Sequence, residues 1–279
     1  MTITAAQVNE LRNKTGAGLM DCKKALTEAG GDLEKAIDFL RKKGAKVAEL
    51  RAGRAAAEGV VVAKTNSENN KGVVVYLSCE TDFVAKNEEF VKLATAIADA
   101  ALAAGSKTTE DVLALSLGTA TVKDAVQEKV SAIGELIAVS AFAALEGESL
   151  VAYNHMGNKI GVLVALNKGL NDTVAAIGRD VAMQIAAMNP LAVDAAGVSP
   201  EVLAREKSIA REKAAASGKP ENILDKIAES AVNSYLKENT LLTQPFVKDG
   251  SKTVAQVLGA AESGLTVVAF SRIERGVAA

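Results

Sequence analysis

Aromatic side chains are scarce in this chain of 279 residues: they make up 3%, with six Phe, three Tyr and no Trp. Its cores must therefore be filled by Ala, Val, Leu and Ile. A single histidine, His155, excludes any catalytic or metal site that needs two. Cys22 and Cys79 stand far apart and form no CxxC pair, so they read as buried thiols in a reducing compartment. No Gly-x-x-x-x-Gly-Lys-Ser/Thr loop is present to cradle phosphates, no Gly-x-Gly-x-x-Gly follows a strand, and no Gly-x-Ser-x-Gly elbow occurs. No apolar run reaches membrane-spanning length. Met1-Thr2-Ile3-Thr4 lacks the basic start and apolar core of a signal peptide, so a cytoplasmic protein is expected. An excess of charge is also missing, with 32 basic against 34 acidic side chains and a net charge of −2. That balance argues against a nucleic-acid binder that neutralises phosphates over its whole surface.

What is there is the balance of a soluble globular protein, 49% hydrophobic and 24% charged, long enough for two or three domains. Residues 1–54 read as a small helical unit. Thr4-Ala5-Ala6-Gln7 matches a capping box, with Val8 and Leu11 on one face. Gly16-Ala17-Gly18 breaks the chain, and a second helix is expected to carry Leu19, Cys22 and Leu26 inward and to end at Gly30-Gly31. Asp32 caps a third helix with Leu33, Ala36, Ile37 and Leu40 apolar. Its continuation from Arg41 through Lys46, Arg51 and Arg54 is basic, and reads as a solvated linker helix rather than a nucleic-acid contact.

From Ala55 the chain repeats itself at an offset of 88 to 89 residues. Lys71-Gly72-Val73-Val74-Val75 returns as Lys159-Ile160-Gly161-Val162-Leu163-Val164, and Ala94, Ile97 and Ala98 line up with Ala182, Ile185 and Ala186. Each copy reads strand, turn, strand, helix. The fold class expected is α+β: an N-terminal three-helix bundle, then two similar α+β subdomains with small antiparallel sheets, at 55–141 and 142–279. The second is interrupted by a helical hairpin at about 190–238. Ser199-Pro200 starts one helix, Gly218-Lys219-Pro220 turns the chain, and Val202, Ile209, Ile223, Leu224 and Ile227 form a sparse apolar stripe. The chain resumes with a helix from Val254 to Ala261 and closes with a strand over 265–270.

The most informative stretch is Glu80-Thr81-Asp82-Phe83-Val84-Ala85-Lys86-Asn87. It follows a run suited to a buried strand, Gly72 to Cys79, and precedes a helix capped by Asn87 with Glu88 and Glu89 in its first turn. Thr81 to Val84 are thus expected on a surface connection, where function concentrates. Phe83 there is an aromatic tip offered to something else, and only the first copy has it; the second carries Asn167-Lys168-Gly169-Leu170. Asp82 alone as a general base has no acid partner, so enzymatic turnover is not expected. His155 falls in the turn between the second copy's first two strands.

Two long segments resemble one family. Leu11-Arg12-Asn13-Lys14-Thr15-Gly16-Ala17-Gly18-Leu19-Met20-Asp21-Cys22-Lys23-Lys24-Ala25-Leu26 is similar to the N-terminal signature of bacterial translation elongation factor Ts, and Cys79 to Lys86 resembles its second signature. Glu146-Gly147, His155, Ile160 to Val164, Ser217 to Pro220 and Gln244-Pro245-Phe246-Val247 follow in the family's order, so the resemblance spans nearly the whole chain. It implies a ubiquitin-associated-like N-terminal bundle and a non-enzymatic guanine-nucleotide exchange factor for elongation factor Tu. On that resemblance Thr81, Asp82, Phe83 and Val84 disturb the magnesium side of the GTPase, while Arg12, Met20, Lys23 and His155 are further partner contacts. The hairpin would serve self-association as a homodimer, or contact with other proteins. No cofactor, metal, nucleotide, nucleic acid or membrane is implied for the chain itself. Three departures stand out. Leu19 occupies a place where the family often has Met, and Val139-Ser140-Ala141-Phe142 a place where arginine is common. The chain also stops at Arg275-Gly276-Val277-Ala278-Ala279, where longer members carry a helical extension.

Overall fold

The computed structural model describes residues 3–51 and 55–277. Met1 and Thr2 of the opening segment, Arg54 of the basic stretch and Ala278-Ala279 of the terminus lie outside them. The capping box forms: Thr4 caps α1 (Ala5–Thr15), with its side chain and that of Gln7 each accepting from the other's backbone. Gly16 ends the helix at φ 66, a left-handed conformation that a Cβ disfavours. α2 (Leu19–Glu28) and α3 (Leu33–Arg51) complete the bundle around Leu11, Cys22, Leu26, Ala36 and Leu40. Leu19 does not point inward as expected; it opens α2 on the solvent side, 50% exposed.

The basic half of α3 is not a solvated linker throughout. It packs on α7 (Val122–Ile133), and the approach is close enough that a Cβ on Gly44 would stand 1.7 Å from Ser131 Oγ. Ser131 Oγ donates across to the Leu40 carbonyl at 3.0 Å. Lys43 pairs with Asp21 at 2.5 Å, and Arg51 is engaged further on.

Two antiparallel three-stranded sheets follow. The first joins β1 (Glu58–Thr65), β2 (Lys71–Cys79) and β5 (Ala138–Glu146) in the order β1-β2-β5. The second joins β6 (Ser149–His155), β7 (Ile160–Leu166) and β10 (Val267–Glu274) in the order β10-β7-β6. Between β2 and β5 lie α4 (Asp82–Ala85), α5 (Glu88–Ala104), α6 (Thr109–Ala114), the small ladder β3 (Ser116–Leu117) and β4 (Ala120–Thr121), and α7. Between β7 and β10 lie α8 (Asp172–Met188), the hairpin α9 (Pro200–Ala216) and α10 (Glu221–Asn239), the ladder β8 (Pro245–Phe246) and β9 (Asp249–Thr253), and α11 (Val254–Ala261).

Alternation along the central strands sets two faces on each sheet. In β2, Val73, Val75, Leu77 and Cys79 pack under the helical layer with Phe90, Leu93 and Ile97, whereas Val74 and Tyr76 face the other sheet. In β7, Val162, Val164 and Leu166 pack with Val174, Val181 and Ile185, and Leu163 faces back. The sheets therefore meet face to face through Val61, Ala63, Val74, Ala141 and Leu163. A Cβ on Gly161 would lie 2.7 Å from a Val61 methyl and 2.8 Å from a Val74 methyl; one on Gly72 would lie 2.8 Å from a Leu163 methyl.

The α+β class and the repeat are as read, with three adjustments. The sheet changes after Glu146, so a boundary at 141 cuts β5, which pairs with β2 as far as Lys71 opposite Glu146. The closing strand starts at Val267 and runs to Glu274 rather than over 265–270. The strands keep an offset of 89, since Thr65 pairs with Gly72 as Asn154 pairs with Gly161. The helix caps Asn87 and Asn171, however, stand 84 apart, so Ala98 rather than Ala94 corresponds to Ala182. That slip of about one helical turn leaves the apolar face unchanged.

The sheet contact makes a direct prediction. Gly161→Ala should destabilise the protein by about 1–3 kcal/mol through overpacking, lowering the urea midpoint at unchanged slope. Gly147→Ala, whose Cβ would meet Ala165 at 3.5 Å and a Leu150 methyl at 3.7 Å, both ordinary contacts, should change the midpoint little.

Candidate partner-binding tip

β2 leaves its sheet at Cys79, and Thr81 turns the chain with extended backbone at φ −122 and ψ 152. Its Oγ1 accepts from the Val84 N–H at 3.4 Å, starting the single turn α4. The turn closes through the Lys86 N–H on the Asp82 carbonyl at 3.1 Å. Asn87 then caps α5, accepting from Glu89 N–H at 2.9 Å and Phe90 N–H at 3.3 Å. Ala85 is buried and Val84 half-buried against the first core, which leaves Phe83 outward and 83% exposed. Thr81 to Val84 thus occupy the surface connection expected of them.

The tip is anchored from its root. Glu135, just past the end of α7, accepts from Thr81 N–H at 3.1 Å and Thr81 Oγ1 at 2.7 Å with its two oxygens. Glu80 accepts from Arg51 at 2.7 and 2.8 Å and from the Leu136 N–H at 2.7 Å. The Cys79 thiol donates to the Thr81 carbonyl at 3.2 Å. Burial, reinforced by Glu135 and Glu58, pushes that thiol up to about 12. Asp82 sits in solvent, and the hydrogen bond from Lys86 at 2.6 Å holds its carboxyl below the ordinary range. Among the described residues no cluster of three or more His, Cys, Asp or Glu could hold a metal ion.

The other expected contacts lie apart from the tip. Met20, 72% exposed, lines a groove between α1 and α2 with Leu19, Lys23, Val8 and Ile3. Arg12 is exposed on α1, one turn beyond Val8 and Asn9, outside that groove. His155 is the last residue of β6, opposite Ile160, rather than within the turn. Its Nδ1 meets the Tyr153 hydroxyl at 2.8 Å, and the Arg179 guanidinium lies 5.8 Å from the Tyr153 ring. The exposed apolar residue beside it is Met156, held at φ 50. The sequence places Arg51 only in a basic stretch read as solvated and singles out nothing at Glu135, because their partners stand 29 and 54 positions away. The one local hint is Gly134, which stops α7 at φ 80 and so places Glu135 at a helix end.

Comparison with known proteins covers the same ground. The family described as elongation factor TS matches residues 80–277. Elongation factor Ts of Amoebophilus asiaticus (strain 5a2) is 50% identical over 273 residues, 98% of this chain and 99% of that protein. Elongation factor Ts of Cytophaga hutchinsonii is 47% identical over 273 residues, 98% of both chains. That of Christiangramia forsetii is 46% identical over 274 residues, 98% of this chain and 99% of its own. The molecule is thus a translation elongation factor. Within that class, the chain belongs to the elongation factor Ts family.

The buried root makes its own prediction. Cys79, and Cys22 with its thiol also raised by burial, should resist a thiol reagent at pH 8 in the native protein and react fully once unfolded. Reaction of native Cys79 at a free thiol's rate would mean that the root of the tip opens.

Proposed function

We propose that the chain is the guanine-nucleotide exchange factor for elongation factor Tu, and that it acts by contact rather than by chemistry. The carrying observation is Phe83, 83% exposed on a turn whose root is held by hydrogen bonds. Asp82-Phe83, flanked by Thr81 and Val84, inserts near the magnesium and phosphate site of the GTPase and stabilises its nucleotide-free state. A factor that favours the empty GTPase must weaken nucleotide binding by the same ratio. The bundle at 1–54 docks through Met20 and Lys23 with Arg12 beside them; the first sheet unit carries the tip; the second reaches the GTPase through His155. The magnesium belongs to the partner, and the chain itself binds no nucleotide. The hairpin, in which only Leu224 of the expected stripe is fully buried, offers a surface for self-association. The compartment assigned is the cytoplasm.

The test is release of a fluorescent GDP analogue from elongation factor Tu. Wild-type chain should accelerate it, and no acceleration at saturating protein overturns the reading. Stable binding with no effect on the nucleotide would instead make the chain an adaptor. Phe83→Ala removes an exposed side chain and should leave the fold intact. It should slow release by about one to two decades, the worth of burying one Phe. Near-normal exchange would show that Phe83 is not the wedge.

A further inference from the structure

We propose that Glu135, together with the Arg51–Glu80 pair, positions the tip, so that the docking bundle and the inserting Phe83 are held in one frame; this rests on the exchange reading above. A single helical turn is a poor structure by itself, because nucleation fixes several dihedrals for one hydrogen bond. α4 has only four residues, with Phe83 exposed to solvent and Asp82 partly so. Its direction must therefore come from outside. Ala85 and Val84 seat its inner side on the first core, and Glu135 fixes its root by holding both donors of Thr81, N–H at 3.1 Å and Oγ1 at 2.7 Å. The latter bond turns the Thr81 lone pair toward the Val84 N–H that it caps.

The next link is Glu80. Its carboxylate ties the backbone of Leu136, the neighbour of Glu135, to Arg51 at the end of α3. The pair is partly sheltered, with side chains 29% and 12% exposed, so its geometry is firmer than that of a surface ion pair. α3 is also the third helix of the docking bundle, packed on α7 through Gly44. One run of contacts thus joins the bundle to Glu80, to the 135–136 segment, and through Thr81 to Phe83. Preorganising a group before docking saves the cost of ordering it in the complex.

The chemistry of the clamp selects the test. Glu135 uses two charged acceptors on two donors, whereas Gln keeps one neutral acceptor and can at best donate its amide to Thr81 Oγ1, so the charge assistance is lost. Glu135→Gln should slow GDP release at saturating protein by about tenfold, the scale of one charge-assisted hydrogen bond. The dissociation constant for elongation factor Tu should move far less, because the bundle still docks. In a Phe83→Ala background the same substitution should add clearly less, since the largest side chain it positions is gone and only Asp82 and the turn itself remain. Equal slowing in both backgrounds, or none in either, overturns the proposal.

Arg51→Gln, which leaves the backbone of the tip untouched, should show the same dependence on Phe83 and serves if the first variant folds poorly. The backbone amides of 82–85 give a readout that needs no partner. Their order parameters should fall from about 0.85 toward 0.6 in Glu135→Gln. Unchanged values refute the clamp even if wild type fails to accelerate exchange, whereas that failure alone refutes only the exchange reading.

Discussion

The face-to-face contact between the two sheets is the constraint on which the other parts depend. Its closest points carry no side chain: Gly72 and Gly161 lie where each sheet presses on the other, with Val61, Val74 and Leu163 methyls against them and Tyr76 and Ile273 in the same cluster. A side chain at either glycine would force the layers apart. The seam is completed at an edge. The Val61 N–H donates to the Asn158 carbonyl at 2.8 Å, and Asn154 bonds both polar groups of Ala63, at 2.8 and 3.0 Å. The middle of the outer edge of β1, at Val61 and Ala63, is thereby paired with the end of β6 and the β6–β7 turn instead of lying open to another chain.

With their backs joined, the sheets turn their other faces to their own helices, and the connections at the strand ends become free to differ. The two copies use that freedom differently. In the second, Asn167 accepts from the Thr266 N–H at 2.8 Å and donates to the Gly264 carbonyl at 2.9 Å, while Lys168 pairs with Glu262 at 3.0 Å. That connection is bound down to the approach of β10. In the first, the interval from central strand to helix cap is five residues longer, as the offsets of 89 and 84 require. The added length is the turn that carries Phe83. The repeat therefore supplies its own control: the same strand–helix unit folds without a tip, so the tip is not a folding requirement.

How far the sequence could be read follows from the range of the interactions involved. Thr4 with Gln7, Asn87 ahead of Glu88 and Glu89, and Asp32 ahead of α3 are local rules, and each formed as written. Phe83 was legible because a large apolar residue between Asp82 and Val84 on a connection has no local partner to bury it. What stayed hidden depends on distant pairs. Whether Leu19 faces in or out is decided by which side of α2 the bundle covers. Gly44 looks like an ordinary weak point in a helix until Ser131 arrives against it. Nothing near Glu135 in sequence announces Thr81. The end of the first sheet at Glu146 is likewise fixed by pairing with Lys71, not by residues around 141.

On the exchange reading, the same physics limits what one aromatic can do. A contact that the GTPase makes equally in its loaded and empty states strengthens the complex but shifts no nucleotide; only differential contacts shift a population. The exposed groove at Met20 and Lys23 is suited to the first role, and the tip to the second. Burying Phe83 contributes roughly 1.5–3 kcal/mol, which falls short when a large change in nucleotide affinity is required. The remainder must come from geometry: Asp82 ionised beside Lys86, and the tip held at a fixed attitude to the docking bundle. A mobile Phe83 would lose part of its contribution to ordering at the moment of insertion. A fixed one delivers it in full, and the hydrogen bonds that Thr81 donates to Glu135, with the Arg51–Glu80 pair behind them, are what fix it.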